Sequence, residues 1–365
     1  MNGSSNQRAS RSGLPLAWLL AIYLLLLAIV LVGGTALGAP ATGAELTVSS
    51  VWASFWEADD DGWAFWKWYH LRFRPLLFAG LAGAVLALAG TIFQAALRNP
   101  LAEPYILGVS GGASVGVFAM LTLQGWFGFS LGTEIFGGYW EFGNGLGAFA
   151  GALGAILLLL TLARWARLFD PASLILCGAI LNAIFGALIL LFYSLAEQHS
   201  VKSSLLWLMG NTGVEVTLGQ PAIRMCAIAL LVGGTGFFLV SRWFDVLSLG
   251  EDEAADLGID PRRLRIVSLI AASLLTGAVV AVAGPIGFIG LVVPHTLRHI
   301  HGASHRRLIP LSMVGGAIFL MLADLLARNA LRPALIPVGA ITALIGGPFF
   351  LSLLVLQRRR GGTDG

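Results

Sequence analysis

Of 365 residues, 57% are hydrophobic and only 11% are charged, and the mean hydropathy is +0.84. Soluble domains carry about a quarter charged residues, so this chain cannot cover a water-exposed surface; its composition is that of an integral membrane protein. The net charge of +3 needs no nucleic-acid partner to explain it, because the basic residues lie at the ends of apolar stretches and form no single patch.

Taken in chain order, stretches of about 20 apolar residues, the length that crosses a bilayer as a helix, predict spans near 16–37, 74–95, 105–123, 145–163, 172–195, 220–240, 264–283, 286–300, 308–327 and 338–356. The predicted fold is therefore all-α: a single ten-helix domain over 14–356, with tails at 1–13 and 357–365. A membrane barrel would need short segments of alternating polarity, and the sequence has none. Arg8 and Arg11 before the first apolar run imitate a secretory leader, but that run is longer than a leader core. The seventh and eighth spans share one apolar run, divided at Gly284-Pro285, where proline removes a backbone donor and glycine tolerates a turn. Cys177 and Cys226 fall inside spans and read as buried packing residues.

Arginine sets the expected orientation. With the N-terminus in the cytoplasm, fifteen of the 22 basic residues fall inside, Arg98, Arg164, Arg242, Arg262, Arg298 and Arg306 among them. The gaps assigned outside, including 38–71, carry Glu45, Glu57, Asp59, Asp60 and Asp61 instead. The positive-inside rule then places both termini and the segment 242–262 in the cytoplasm.

That segment, within "RWFDVLSLGEDEAADLGIDPRR", is the densest charged stretch away from the ends. Trp243, Phe244, Val246, Leu247 and Leu249 predict a short apolar-faced helix, which Gly250 would end with a positive φ. Glu251, Asp252 and Glu253 then suit the positive end of a second short helix containing Ala254 and Leu257, and Gly258 closes it. Asp260 caps the next helix, with Pro261 in its first turn. On local pattern alone, an amphipathic interfacial segment with its acids in water fits equally well.

Four blocks decide between these. "GAVLALAGTIFQAALRNPLAEPYILGVSGGASVG" (83–116), "LSLGEDEAADLGID" (247–260), "GPIGFIGLVVPHTLRHIHGASHRRLIPLS" (284–312) and "ADLLARNALRPALIPVGAITALIGGPFFLSLL" (323–354) resemble, in order and spacing, the motifs of FecCD-type permeases. Those are the membrane subunits of type II bacterial ABC importers for iron-siderophores, haem and cobalamin. The resemblance implies ten helices per subunit, a second permease subunit, two cytoplasmic ATPases, an extracytoplasmic binding protein and residence in the cytoplasmic (inner) membrane. It also implies that 242–262 carries two cytoplasmic coupling helices seated in an ATPase groove. Leu247, Leu249 and Leu257 would be the apolar anchors, Glu251 and Glu253 would set register, and Gly250, Ala254 and Gly258 would shape the turn. It further implies arginines at the outer mouth that meet the binding protein. Arg328 in "ADLLAR" matches the family most directly, with Arg332 beside it. The family's Arg-x-Pro-Arg is replaced here by Arg72-Phe73-Arg74-Pro75, leaving Arg72 and Arg74 as alternatives. The cargo expected from the resemblance is an iron chelate.

No catalytic residues, resident metal or cofactor are expected. A nucleotide-binding P-loop needs lysine after glycine, whereas Lys67 follows Trp66 and Lys202 follows Val201, so ATP belongs to a partner. An ion-coupled carrier would mark its path with intramembrane ionisable groups. Asp324 is the one acid expected well inside a span, and its i,i+4 spacing to Arg328 reads as a structural pair. His295, His299, His301 and His305 cluster near Arg298, Arg306 and Arg307, which disfavours a cation. Gly83 with Gly90, Gly112 with Gly116 and Gly147 with Gly151 have small-residue packing spacings. Gly284, Pro285, Gly287 and Gly290 fit either tight packing or the lining of a translocation path.

Overall fold

The structure is a computed structural model and describes residues 14–37, 68–127, 132–135, 138–166, 171–195, 207–212, 220–331 and 336–361. Helix α1 (Leu16–Leu37) is followed by a π-helical turn (Tyr69–Phe73) that runs directly into α2 (Arg74–Ala96), with Pro75 in the first turn, where its missing N–H costs nothing. Then come α3 (Val109–Phe127), α4 (Phe142–Ala166), α5 (Pro171–Leu195) and α6 (Gln220–Leu239). Two short helices, α7 (Ser241–Leu247) and α8 (Glu251–Asp256), precede α9 (Pro261–Ala283), α10 (Ile289–His301), α11 (His305–Asn329) and α12 (Val338–Gly361). One element departs from the all-α expectation: strands β1 (Gly132–Ile135) and β2 (Gly138–Glu141) form an antiparallel hairpin between α3 and α4.

Among the described residues, seven helices are long and apolar enough to cross a membrane: α1, α2 with its π-turn, α4, α5, α6, α9 and α11. The uninterrupted apolar parts of α3 and α12 are shorter, and α10 has 13 residues. At ~1.5 Å per residue α10 spans roughly 20 Å, less than the ~30 Å of a hydrocarbon core.

Helix α2 is the axis of the bundle. Its apolar window is 89% buried, against 6% for α1 and 22% for α5 and α6, which turn leucines and isoleucines outward. It packs against α6, α9, α10 and α11. Because lipid supplies no hydrophobic drive between helices, such contacts depend on close backbone approach, and glycines supply it. Gly83 meets Gly316 of α11, and Gly90 meets Gly290 of α10. Gly112 and Gly116 of α3 face Gly151 and Gly147 of α4, joining two pairs that the sequence shows only as separate spacings.

After α9 the chain breaks. Gly284 (φ 71°) ends that helix, and Phe288 takes a left-handed φ of 70° before α10 begins. Irregular backbone at membrane depth is tolerated where protein buries it, and Gly284, Ile286 and Gly287 are buried.

Candidate functional site

The segment joining α6 to α9 is a rigid bracket. In α7, Ser241, Phe244 and Leu247 recur every third residue and are buried, with Phe244 packed on the rings of Phe237 and His305. Asp245 reaches across to α11. Its Oδ1 accepts from the backbone N–H of His305 (2.7 Å) and lies 2.8 Å from His305 Nδ1, and Ser304 Oγ donates to Oδ2 at 3.2 Å. A carboxylate of α7 thus caps the positive end of α11. Partial burial works to raise the Asp245 pKa, but the hydrogen bonds and charge of His305 and the Ser304 hydroxyl outweigh it, and the carboxyl is held below its ordinary value.

The second half follows the local sequence closely. Asp260 Oδ1 accepts from the backbone N–H groups of Arg262 and Arg263, both at 3.0 Å, and Gly258 has φ 80°. Arg265 bonds Glu251 and donates through Nε to Ala96 O (3.0 Å), tying α8 and α9 to the end of α2. Two expectations need correction. Gly250 has φ 168°, an extended conformation, so glycine is not there to supply a left-handed turn. Leu247 is fully buried in the chain's own core and is no anchor for a partner, and Ala254 is buried with it. Leu249 and Leu257 are 69% and 66% exposed, beside the exposed Glu251, Asp252 and Glu253.

The arginines expected at an outer rim are placed differently. Arg72 is buried and donates through Nη1 to the carbonyls of Thr35 (3.3 Å) and Ala36 (3.1 Å), satisfying the C-terminal carbonyls of α1. Arg74 is buried with its guanidinium 5.9 Å from the Tyr69 ring centroid. Arg328 is buried against Asp324, with Nε 2.8 Å from Oδ2 and Nη2 3.0 Å from Oδ1, and Thr212 donates to the same carboxylate. The Asp324–Arg328 pair is thus structural, and burial removes Arg72, Arg74 and Arg328 from a rim; Arg332 lies outside the described residues.

The four histidines do not converge. His295 and His299 stack edge-on at 5.0 Å, His301 shares a 3.0 Å hydrogen bond with Tyr23 of α1, and His305 belongs to Asp245. Both cysteines are free thiols.

A cluster that the sequence did not reveal lies at the break before α10. Glu103, in the turn between α2 and α3, is 3% exposed, and its carboxyl faces the backbone N–H groups of Phe288 and Gly290, with Oε2 left without a hydrogen-bond partner among the described residues. Those are donors of the first turn of α10, so the acid of one non-helical stretch caps the half-helix that follows another. Gln94 Nε2 donates to Gly290 O at 3.0 Å. Asn182 Nδ2 fastens the same turn from α5, donating to the carbonyls of Tyr105 (2.7 Å) and Ile106 (3.1 Å). The Tyr105 ring lies on Gly287 and near Phe288, with ring centroids 6.5 Å apart. Glu103 was legible only as a loop acid between two spans.

These features, a bundle with buried backbone breaks and a charged bracket between spans, coincide with a known family. The sequence model of the FecCD transport family matches residues 24–356. The chain belongs to the FecCD transport family. It is 37% identical over 303 residues to the hemin transport system permease protein HmuU of Yersinia pestis, covering 81% of this chain and 86% of that protein. It is 39% identical over 287 residues to the vitamin B12 import system permease protein BtuC of Vibrio cholerae, covering 79% and 82%. Among solved structures, a transporter assigned to the metal-chelate ABC type, in an inward-facing conformation, aligns with a TM-score of 0.73 at 30% identity over 93% of this chain and 99% of the other. This FecCD protein is a multi-pass membrane permease of an ABC transporter.

Proposed function

We propose that this FecCD permease forms half of the translocation path of an ATP-driven importer for a metal chelate, an iron-siderophore first, with haem or cobalamin as the alternative cargo. The observation that carries the coupling half of this reading is the bracket 241–260. It presents two exposed leucines and three exposed acids on a frame pinned to α2 and α11. An exposed apolar pair in the turns on either side of the short helix α8 suits a partner's groove, and the acids set its register. The partners are a second permease subunit, two ATPase subunits that bind the nucleotide, and an extracytoplasmic binding protein. The chain spans the bacterial cytoplasmic membrane ten times, with both termini and the bracket on the cytoplasmic side, as the distribution of its arginines favours.

The break at Gly284, Pro285 and Gly287 is the proposed edge of the path, because interrupted helices at membrane depth are where transporters place such surfaces. Gly290 contributes by letting α10 close on α2. The iron preference rests on two likenesses, to the hemin permease and to the metal-chelate transporter.

The test is to replace Leu249 and Leu257 together with Asp. Both side chains point away from this chain's core, so the variant should reach the membrane at normal abundance. It should fail to co-purify with its ATPase and lose uptake. Normal co-purification with normal uptake would remove the coupling assignment.

A further inference from the structure

A groove of about 830 Å³ runs between α6 and α9, bounded at one end by the bracket. Its volume is that of a ligand site, in the range of ~300–1,000 Å³. Phe237, Leu264 and Leu275 line its walls, and its lips, Val232 and Val267, are 66% and 58% exposed, so it opens sideways on an outer face of the bundle rich in exposed apolar residues. From Leu264 to Leu275 along α9 is roughly 16 Å at ~1.5 Å per residue, close to the depth of one leaflet, half of a ~30 Å core. The groove exists because α6 carries glycine there. Nothing lies within 4 Å of where a Cβ on Gly236 would sit.

The bracket end differs chemically from the walls. Arg263 lines it with an exposed side chain, while the neighbouring Asp260 is engaged through Oδ1 in capping α9. Trp243, 50% exposed, stands beside Arg263, and the exposed Arg242 precedes it. An apolar slot one leaflet deep, ending in an arginine and an interfacial tryptophan, has the polarity of a single phospholipid. Asp260 and Arg263 balance within the lining, and the exposed Arg242 and Arg262, beside Trp243 and Arg263 in the chain, tip the bracket end toward an anionic one. A second groove of about 510 Å³ between α2, α6 and α11, lined by Leu81, Phe238, Ile309 and Met313, has no charged residue in its lining and offers no such selection.

We infer that the α6–α9 groove is a binding site for an anionic phospholipid, with one acyl chain lying over Gly236 and the phosphate on Arg263. The site is independent of the cargo. It places a lipid headgroup against Trp243 and Gly258, at the foot of the bracket.

Native mass spectrometry of the purified full-length permease, titrated with phosphatidylglycerol or phosphatidylcholine of the same chains, tests this. The wild type should retain one phosphatidylglycerol more tightly than phosphatidylcholine. Arg263→Gln should weaken that lipid about fivefold, the effect of one basic residue at a membrane surface, and leave phosphatidylcholine unchanged. Gly236→Phe, whose ring enters open space, should displace both lipids without lowering the melting temperature of the lipid-free protein. Equal retention of the two lipids by the wild type, or unaltered phosphatidylglycerol binding in either variant, would overturn the assignment. So would a Gly236→Phe protein that loses its second copy while keeping its lipid, since another chain would then occupy the groove.

Discussion

Asp324 and Arg328 are i,i+4 on α11 and both buried. Removing one partner from such a pair leaves an uncompensated buried charge, at a cost of about 3–5 kcal/mol, whereas replacing both with apolar groups of similar volume is close to neutral. Asp324→Ala should therefore sharply lower the thermal stability of the purified permease, and Asp324→Leu combined with Arg328→Met should recover most of it. If the double replacement melts as low as the single one, the pair does more than satisfy itself. The spacing announced this pair, as it announced the Asp260 cap, because both are local along one helix. Arg72, Asp245, Glu103 and Asn182 have partners 36 or more residues distant, on unrelated elements. No window of sequence displays such contacts, so an arginine that closes the end of α1 looks identical in the sequence to one that waits for a binding protein. Asp245 carries a pH consequence. Its folded pKa lies below the ordinary value, so its contribution is complete above the unfolded pKa, present in full at neutral pH, and lost only as strong acid takes the pH through the folded pKa.

At the scale of elements, bundle closure depends on where side chains are missing. Gly116 of α3 lies against the backbone of Gly147 of α4, and Gly112 lies against Gly151, so a methyl group at either α3 position meets main chain that cannot step aside. Gly154, three residues further along α4, has open space around its Cβ position. Gly112→Ala with Gly116→Ala should collapse the yield of folded permease in mild detergent, read by size-exclusion profile. Gly154→Ala should match the wild type and even gain slightly from the better helix propensity of alanine. Equal yields for the two would mean that α3 and α4 do not approach this closely. Helix positions were legible because apolar runs of this length have few alternatives, and each of the ten expected stretches holds a helix. Their ends moved where turn chemistry intervened. The third begins at Val109, beyond the Asn99–Gly108 turns, and the eighth begins at Ile289 because Phe288 takes a left-handed φ. The hairpin at 132–141 gave no alternating pattern long enough to read.

For the whole molecule, the proposed function makes the bracket the element that would join the machinery of a partner to the membrane. On that reading, a displacement at Leu249 or Leu257 would reach the start of α11 through Asp245 and, through Arg265, the end of α2, the helix with the most buried apolar window. From the end of α2 the chain turns directly into the stretch where Glu103 holds the half-helix α10. Chain links and the contacts of Asp245 and Arg265 thus lead from the bracket toward the break at 284–288. The membrane class, the Asp260 cap with the turn at Gly258, and the family were legible from composition, local turn chemistry and motif order. The inward burial of Leu247 was not, since α7 has apolar residues on more than one face and only packing decides which face turns in. The most direct test is site-directed cross-linking in the assembled transporter, with Cys177 and Cys226 first replaced by Ala. Single cysteines introduced by Leu249→Cys and Leu257→Cys should each form a covalent adduct with the ATPase subunit under a short bifunctional thiol-to-amine reagent, and Leu247→Cys should form none. Adducts from Leu247→Cys alone, or an absence of adducts at both exposed positions in a transporter that still imports its cargo, would contradict the account.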